Sequence, residues 1–226
     1  MTVTESSPRV HPRLSPPMIR SALSTSMVLA VLALAALPVR DGLFRAISGF
    51  FAGSALGSSA GFVAENGPYV LVATVAVLVV RLWVTDRRAF LTLGVAGVGV
   101  VTAYLSSELI KLVITEPRPC RALGITGVLD CPEVGDWSWP SNHSVIAASF
   151  ATACVLAVPR IIWFVAPIAV VLGFSRVAAG VHYVHDVLSG LSLGVLTVTV
   201  VVAVALPWPA RWSPVSRLLV VDERLD

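Results

Sequence analysis

The chain has 226 residues, of which 56% are hydrophobic and only 13% charged, with a mean hydropathy of +0.86 and a formal net charge of +3. A soluble domain carries about 25% charged residues. The charge here is too sparse to cover a water-exposed surface, which excludes a soluble globular fold and leaves the bilayer as the main solvent.

Residues 1–19, including "TESSPRVHPRLSPP", are polar and rich in proline. They predict a disordered cytoplasmic tail. Residues 20–210 form the predicted transmembrane domain, and residues 211–226 a second cytoplasmic tail. A spanning helix needs about 20 mostly apolar residues. Stretches of that kind lie near Ser21–Val39, Pro68–Val84, Ala89–Leu112, Ser144–Val158, Ile161–Ser175 and Val187–Leu206. The pattern predicts an all-α, polytopic membrane protein of about six helices. The fourth and fifth stretches are short at those limits, so their ends draw on neighbouring residues, with Pro159 and Arg160 making a tight turn between them. The first stretch is preceded by a long polar segment and followed by no clear cleavage site, which argues against a secretory signal.

Two connections are long. In residues 40–67, "DGLFRAISGFFAG" fits either a short interfacial helix or a loop resting on the headgroups. Residues 115–142 are rich in Pro, Gly, Asp and Trp and lack a periodic pattern, as functional loops often do. Cys120 and Cys131 share this second loop, where both a disulfide and two free thiols are compatible with the sequence. Cys154 falls within a span, as a small core residue.

Basic residues set the orientation. With six spans both termini share one side. Arg9, Arg13, Arg20, Arg81, Arg87, Arg88, Arg160, Arg211, Arg217 and Arg224 fall there, which makes it the cytoplasm. The other side holds Arg40, Arg45, Lys111, Arg118, Arg121 and Arg176. Lys111, Arg118 and Arg176 have a chemical explanation, given next. Without them the bias is ten to three. The pI near 9.1 is thus a matter of topology, not of nucleic-acid binding. Trp83, Trp137, Trp139, Trp163, Trp208 and Trp212 fall at or near span ends, as an interfacial belt does.

Ionisable groups within or beside membrane spans are costly and mark function. Here they gather at the outer end. Lys111, the only lysine, closes the third span, and Arg118 follows in "KLVITEPRP". His143 opens the fourth span in "PSNHSVIAAS". Arg176 closes the fifth, and His182 and Asp186 flank the start of the sixth in "SRVAAGVHYVHD". Such a set predicts a polyanionic ligand at the outer surface. Arginine offers a planar fork to phosphate oxygens, and lysine a compact charge. His182 and Asp186, four apart, share a helix face if the sixth helix starts near His182. A carboxylate accepting from Nδ1–H leaves Nε2 as a nucleophile, and His143 on another helix is placed to protonate a leaving oxygen. His185 reads as structural. Glu108 is expected to pair with Lys111 along the helix.

At these residues the chain resembles the type 2 phosphatidic acid phosphatase superfamily. That family has three separated motifs: Lys-x6-Arg-Pro, Pro-Ser-Gly-His and Ser-Arg-x5-His-x3-Asp. The first and third are intact here, from Lys111 to Pro119 and from Ser175 to Asp186. The second reads "PSNH", Pro140 to His143, with Asn142 in the glycine position. The resemblance implies that His182 is a nucleophile forming a phosphohistidine, oriented by Asp186, with His143 as the acid. It also implies a phosphate cradle of Lys111, Arg118, Arg176 and Ser141, aided by the backbone N–H at position 142. No cofactor or metal is implied, in keeping with the lack of an evident carboxylate cluster. If glycine serves a positive φ at 142, asparagine is among the least costly replacements, and its amide is a further candidate donor to phosphate.

The expected activity is hydrolysis of a lipid phosphate or pyrophosphate with its headgroup in the outer leaflet of the plasma membrane. Polyprenyl pyrophosphate is the first candidate, then phosphatidic acid or phosphatidylglycerol phosphate. Transfer of the phosphoryl group to another acceptor, and lipid-phosphate binding or transport without turnover, are the alternatives. The partners expected are the lipid substrate and the bilayer, and no nucleic acid.

Overall fold

A computed structural model describes residues 14–207. The predicted tail at 211–226, Trp208, Trp212 and the first thirteen residues lie outside them. Within that range the secondary structure is helical throughout. The helices are α1 (Pro16–Ala36), α2 (Arg40–Ala52), α3 (Gly57–Asn66), α4 (Pro68–Thr85), α5 (Arg87–Val113), α6 (Pro119–Ala122), α7 (Asn142–Ala157), α8 (Ile162–Ala178) and α9 (Val184–Ala205). Short 3-10 turns at Leu37–Val39 and Pro159–Ile161 join α1 to α2 and α7 to α8.

Helix starts follow local chemistry. Proline opens α1 and α4, where its fixed φ suits the first turn and its missing N–H is no loss. The helix at Pro16 therefore takes in part of the segment predicted as tail. Asp86 caps α5, its carboxylate accepting from the Ala89 N–H at 2.9 Å. The segment "DGLFRAISGFFAG" is helical, as α2. A second short helix, α3, occupies the rest of that connection.

Among the described residues, five stretches are helical, long and apolar enough to cross a membrane. The remaining predicted span, the fourth, is α7 and has only 16 residues, about 24 Å at 1.5 Å per residue. Its place in the bundle accounts for its composition. It packs against α4, α5, α8 and α9, and Ala147, Ala148, Ser149, Ala151, Thr152, Ala153 and Cys154 are all buried. A helix ringed by others needs small side chains for close approach, since lipid gives apolar side chains no reason to cluster. The outer helices instead expose large apolar groups, among them Val80, Val84, Leu112 and Trp163.

The α7–α9 contact is the tightest part of this core. Gly190 and Gly194 form a Gly-x3-Gly pair on the α9 face that meets α7. A Cβ at Gly190 would lie 2.6 Å from the Ser141 carbonyl oxygen, and one at Gly194 would lie 2.6 Å from that of Val145. These nearest atoms are backbone, which cannot yield as a side-chain end would. On α5, Ala96, Gly99, Ala103, Ser107 and Lys111 are buried along one face. That face carries Lys111 toward the same end of the bundle as the starts of α7 and α9.

Replacing Gly194 by valine should force α9 away from α7. The expected cost is about 1–3 kcal/mol or more, the usual price of overpacking. A lowered melting temperature of the purified chain in detergent would show it, and an unchanged one would mean that the crossing yields freely.

Candidate active site

Four elements converge at one end of the bundle. The last turn of α5 brings Lys111. The 114–141 segment brings Arg118. The start of α7 brings Ser141 and His143. The turn from α8 into α9 brings Arg176, His182 and Asp186. Two backbone contacts hold these parts in register. The Ser141 N–H donates to the Asp186 carbonyl at 3.1 Å, joining the starts of α7 and α9, and the Leu129 N–H donates to the Ala179 carbonyl at 3.1 Å. Beside the second contact Gly180 has φ +83°, the left-handed region that favours glycine. A Cβ there would lie 2.6 Å from the Gly127 Cα, so the long segment lies backbone to backbone on the turn that presents His182. Cys120 and Cys131 form a disulfide within this segment, with Cα atoms 5.9 Å apart.

His182 is 1% exposed. Arg118 Nη1 lies 2.9 Å from its Nε2. A guanidinium can only donate, so Nε2 is the unprotonated acceptor and Nδ1 carries the hydrogen. That hydrogen faces Asp186 Oδ2 and Ser138 Oγ, each at 3.4 Å. Burial first, then the charges of Arg118, Arg176, Lys111 and His143, push the His182 pKa well below the ordinary 6.5. The ring is therefore neutral around pH 7.

Asp186 is 0% exposed. Its Oδ2 accepts from Ser138 Oγ at 2.5 Å and from the Tyr183 N–H at 2.8 Å. Its Oδ1 lies 3.1 Å from His185 Nε2. Oδ1 receives no hydrogen bond there, whereas His185 Nε2 bonds Glu116 Oε2 at 3.2 Å. Arg40 of α2 pairs in turn with Glu116 and lies over the Tyr183 ring at 5.2 Å. A chain of contacts thus runs from Arg40 through Glu116 and His185 inward to Asp186.

The cations are nearly buried, and Lys111, Arg118 and Arg176 are 6–7% exposed. Arg118 is also held by protein acceptors: Nε donates to the Asp136 carbonyl at 2.9 Å, Nη1 to that of Val181 at 3.0 Å, and Nη2 pairs with Asp136 Oδ1 at 2.8 Å. Lys111 Nζ lies 3.6 Å from the same Oδ1. Arg176 Nη1 donates to the Ala64 carbonyl on α3 at 3.2 Å, while its Nε and Ser141 Oγ are buried without partners. Arg176 and His143 line a polar cavity of about 610 Å³, together with Glu65, Asp130 and Val181.

The PAP2 superfamily model matches residues 91–208, more than half of the chain. The chain belongs to the PAP2 superfamily. Among its relatives, an undecaprenyl-diphosphatase of Sulfolobus acidocaldarius is 32% identical over 59% of this chain and 63% of its own length. The undecaprenyl-diphosphatase BcrC of Bacillus subtilis is 32% identical over 68% of this chain and 78% of its own. The crystal structure of a transmembrane PAP2-type phosphatidylglycerolphosphate phosphatase from Bacillus subtilis superposes with a TM-score of 0.55. It is 24% identical and covers 81% of this chain and 94% of that one. The PAP2 chain is accordingly a multi-pass membrane protein.

Lys111, Arg118, Ser141, His143, Arg176, His182 and Asp186 all come to the one end. Asn142 departs from expectation. It opens α7, no residue but glycine has positive φ among the described residues, and its side chain turns to α5. There it accepts from Ser107 Oγ at 2.6 Å and donates to Glu108. Its amide is used in helix packing and not offered to a phosphate. Glu108 is engaged by that amide, and the ion pair of Lys111 is made with Asp136 instead. The expected lack of a carboxylate cluster also fails: ligand atoms of Glu116, His185 and Asp186 lie within 4.8 Å of one another. Asp136, Ser138 and Glu116 were not distinguished by sequence. They belong to no motif spacing, and only the fold of the long segment brings them to the histidines.

The field around His182 predicts its titration. In the PAP2 chain carrying isotope-labelled histidine, NMR should show His182 titrating below 6.5. Because Arg118 disfavours the protonated ring, Arg118→Gln should move that midpoint upward. A midpoint at or above 6.5 in the parent protein would contradict the described surroundings.

Proposed function

We propose that this PAP2 chain hydrolyses a lipid phosphate or pyrophosphate through a phosphohistidine on His182. The observation that carries the reading is the orientation of His182: Nδ1–H toward Asp186 and Ser138, Nε2 toward Arg118. The substrate phosphoryl draws the Arg118 N–H away from Nε2, and the freed lone pair attacks phosphorus. As the N–P bond forms, the P–O bond to the leaving group breaks, and His143, which takes up a proton when the anionic phosphoryl group binds beside it, gives that proton to the departing oxygen. Lys111, Arg118 and Arg176 stabilise the charge on the equatorial oxygens, with Ser141 Oγ as an added donor. Water then attacks the phosphohistidine, His143 takes its proton, and the N–P bond breaks. Asp186 keeps the ring in one tautomer throughout, and none of these steps asks for a metal ion.

Polyprenyl pyrophosphate is the proposed substrate, with its headgroup in the outer leaflet of the plasma membrane and both termini of the chain in the cytoplasm. The names of two relatives support the lipid class, and the bias of arginines supports the side. An apolar cavity of about 480 Å³ between α1, α5 and α9 runs from Ala33, Leu34 and Leu193 to Trp139 and Glu116. It offers lipid chains a place beside the charged end.

His182→Ala should abolish phosphate release in detergent while the protein stays folded, and activity should survive a strong chelator. Near-parental turnover of His182→Ala would place the nucleophile elsewhere. Because His182 is held neutral, the acid limb of kcat/KM should fall below pH 6.5. His143→Ala should slow hydrolysis of phosphatidic acid more than that of a polyprenyl pyrophosphate, whose leaving phosphate needs a proton less. Equal defects would make His143 a phosphate ligand and not an acid. For sidedness, a cysteine near Trp137, in a working variant without native cysteines, should react with an impermeant thiol reagent on intact cells. Labelling only after lysis would invert the orientation.

A further inference from the structure

We propose that Asp136 determines specificity: it is a tethered anion seated among the phosphate-binding cations, and it admits multiply charged headgroups while turning away the singly charged phosphodiesters of bulk phospholipid. The inference rests on reading Lys111 and Arg118 as the phosphate cradle.

Asp136 Oδ1 sits between Arg118 Nη2, at 2.8 Å, and Lys111 Nζ, at 3.6 Å. These are the donors that a phosphoryl oxygen would use. Two nearly buried cations side by side are costly without an anion between them, and Asp136 supplies one. It is ionised at neutral pH. Burial raises its pKa, but the hydrogen bond and charge of Arg118, with Lys111, outweigh burial and hold it below the ordinary carboxylate value.

The side chain is also able to leave. It is 48% exposed, unlike the cations it pairs with. Gly135 beside it has φ +96°. The backbone of residue 136 is held by bonds that do not involve its carboxylate: its carbonyl accepts from Arg118 Nε at 2.9 Å and its N–H donates to the Glu133 carbonyl at 3.2 Å. The carboxylate can therefore rotate toward water while the segment, with Ser138 on Asp186, stays in place.

Displacement then depends on the charge of the newcomer. A phosphodiester carries one negative charge, so it exchanges like for like against a competitor whose covalent link gives it an effective concentration in the millimolar range or above. A phosphomonoester or pyrophosphate brings two or more charges to Lys111, Arg118 and Arg176 together, and that surplus drives Asp136 out. In a bilayer rich in anionic diesters, a cradle of open cations would be filled by lipids it cannot hydrolyse.

The test compares the full chain with Asp136→Asn in mixed micelles. Asparagine keeps the shape and the acceptor oxygen but removes the charge. Binding of inorganic phosphate is read from the melting temperature against phosphate concentration, and phosphatidylglycerol is added as a competitor in the same assay. Asp136→Asn should bind phosphate about fivefold tighter or more, the scale of one partly exposed charge at contact distance, and should lose that binding as phosphatidylglycerol is added, while the parent resists. Weaker or unchanged phosphate binding by Asp136→Asn would overturn the proposal and make Asp136 a structural support for Arg118. Should that variant fail to fold, Asp136→Glu retains the charge and should retain the resistance. Sensitivity to phosphatidylglycerol there would equally overturn it. Neither readout needs turnover, so a parent chain that binds phosphate but releases none from lipid defeats the phosphatase reading and leaves this one standing.

Discussion

A carboxylate with no exposure at the mouth of a membrane helix needs partners, and those of Asp186 define this end of the molecule. An isolated buried charge would cost several kcal/mol. Asp186 avoids that by collecting the Tyr183 N–H, the Ser138 hydroxyl and two imidazoles from three directions. Each partner is itself fixed. Tyr183 stacks on His185 and meets Phe44 edge-on. The Ser138 N–H donates to the Glu116 carbonyl at 2.8 Å. Trp139 donates to Ser189 on α9 at 3.0 Å. The requirement of one buried charge thus orders the long segment, the start of α9 and the α2 helix that covers them.

The same segment serves the cations. Asp136 and Ser138 are two residues apart in a stretch without secondary structure, so one faces Arg118 and Lys111 while the other faces Asp186. A loop is suited to this because its side chains follow no helical period. The price of such freedom is conformational entropy, which the disulfide, the bond from Leu129 to Ala179 and the close Gly127–Gly180 contact help to offset. The reactive ring is therefore held by groups on a segment that is itself pinned, a second layer of support that any precise chemistry requires.

The membrane core sets the distances. Glycines on α9 and small residues on α7 let two backbones approach closely, and that approach places the Asp186 carbonyl within reach of the Ser141 N–H. If α7 were built of leucines, the two helix starts would separate and His143 would move away from His182. The shortness of α7 fits the same scheme, since a helix enclosed by its neighbours need not match the thickness of the lipid.

Hydropathy and motif spacing were enough to read an all-α membrane chain and the residues Lys111, Arg118, Ser141, His143, Arg176, His182 and Asp186, because span length and charge inside lipid are strong one-dimensional signals. Those signals also located most helices to within a few residues. They were blind to Asp136, Ser138 and Glu116, whose importance depends on which carbonyl or hydroxyl lies opposite in a folded loop. They also misjudged Asn142, because an amide beside a histidine looks like a ligand until the neighbouring helix supplies Ser107 and Glu108 as partners. Which charged groups had to gather was readable along the chain, through the cost of leaving them in lipid. Which anion neutralises which cation, and which tautomer His182 adopts, came from the folded bundle, because both depend on atoms brought together across it.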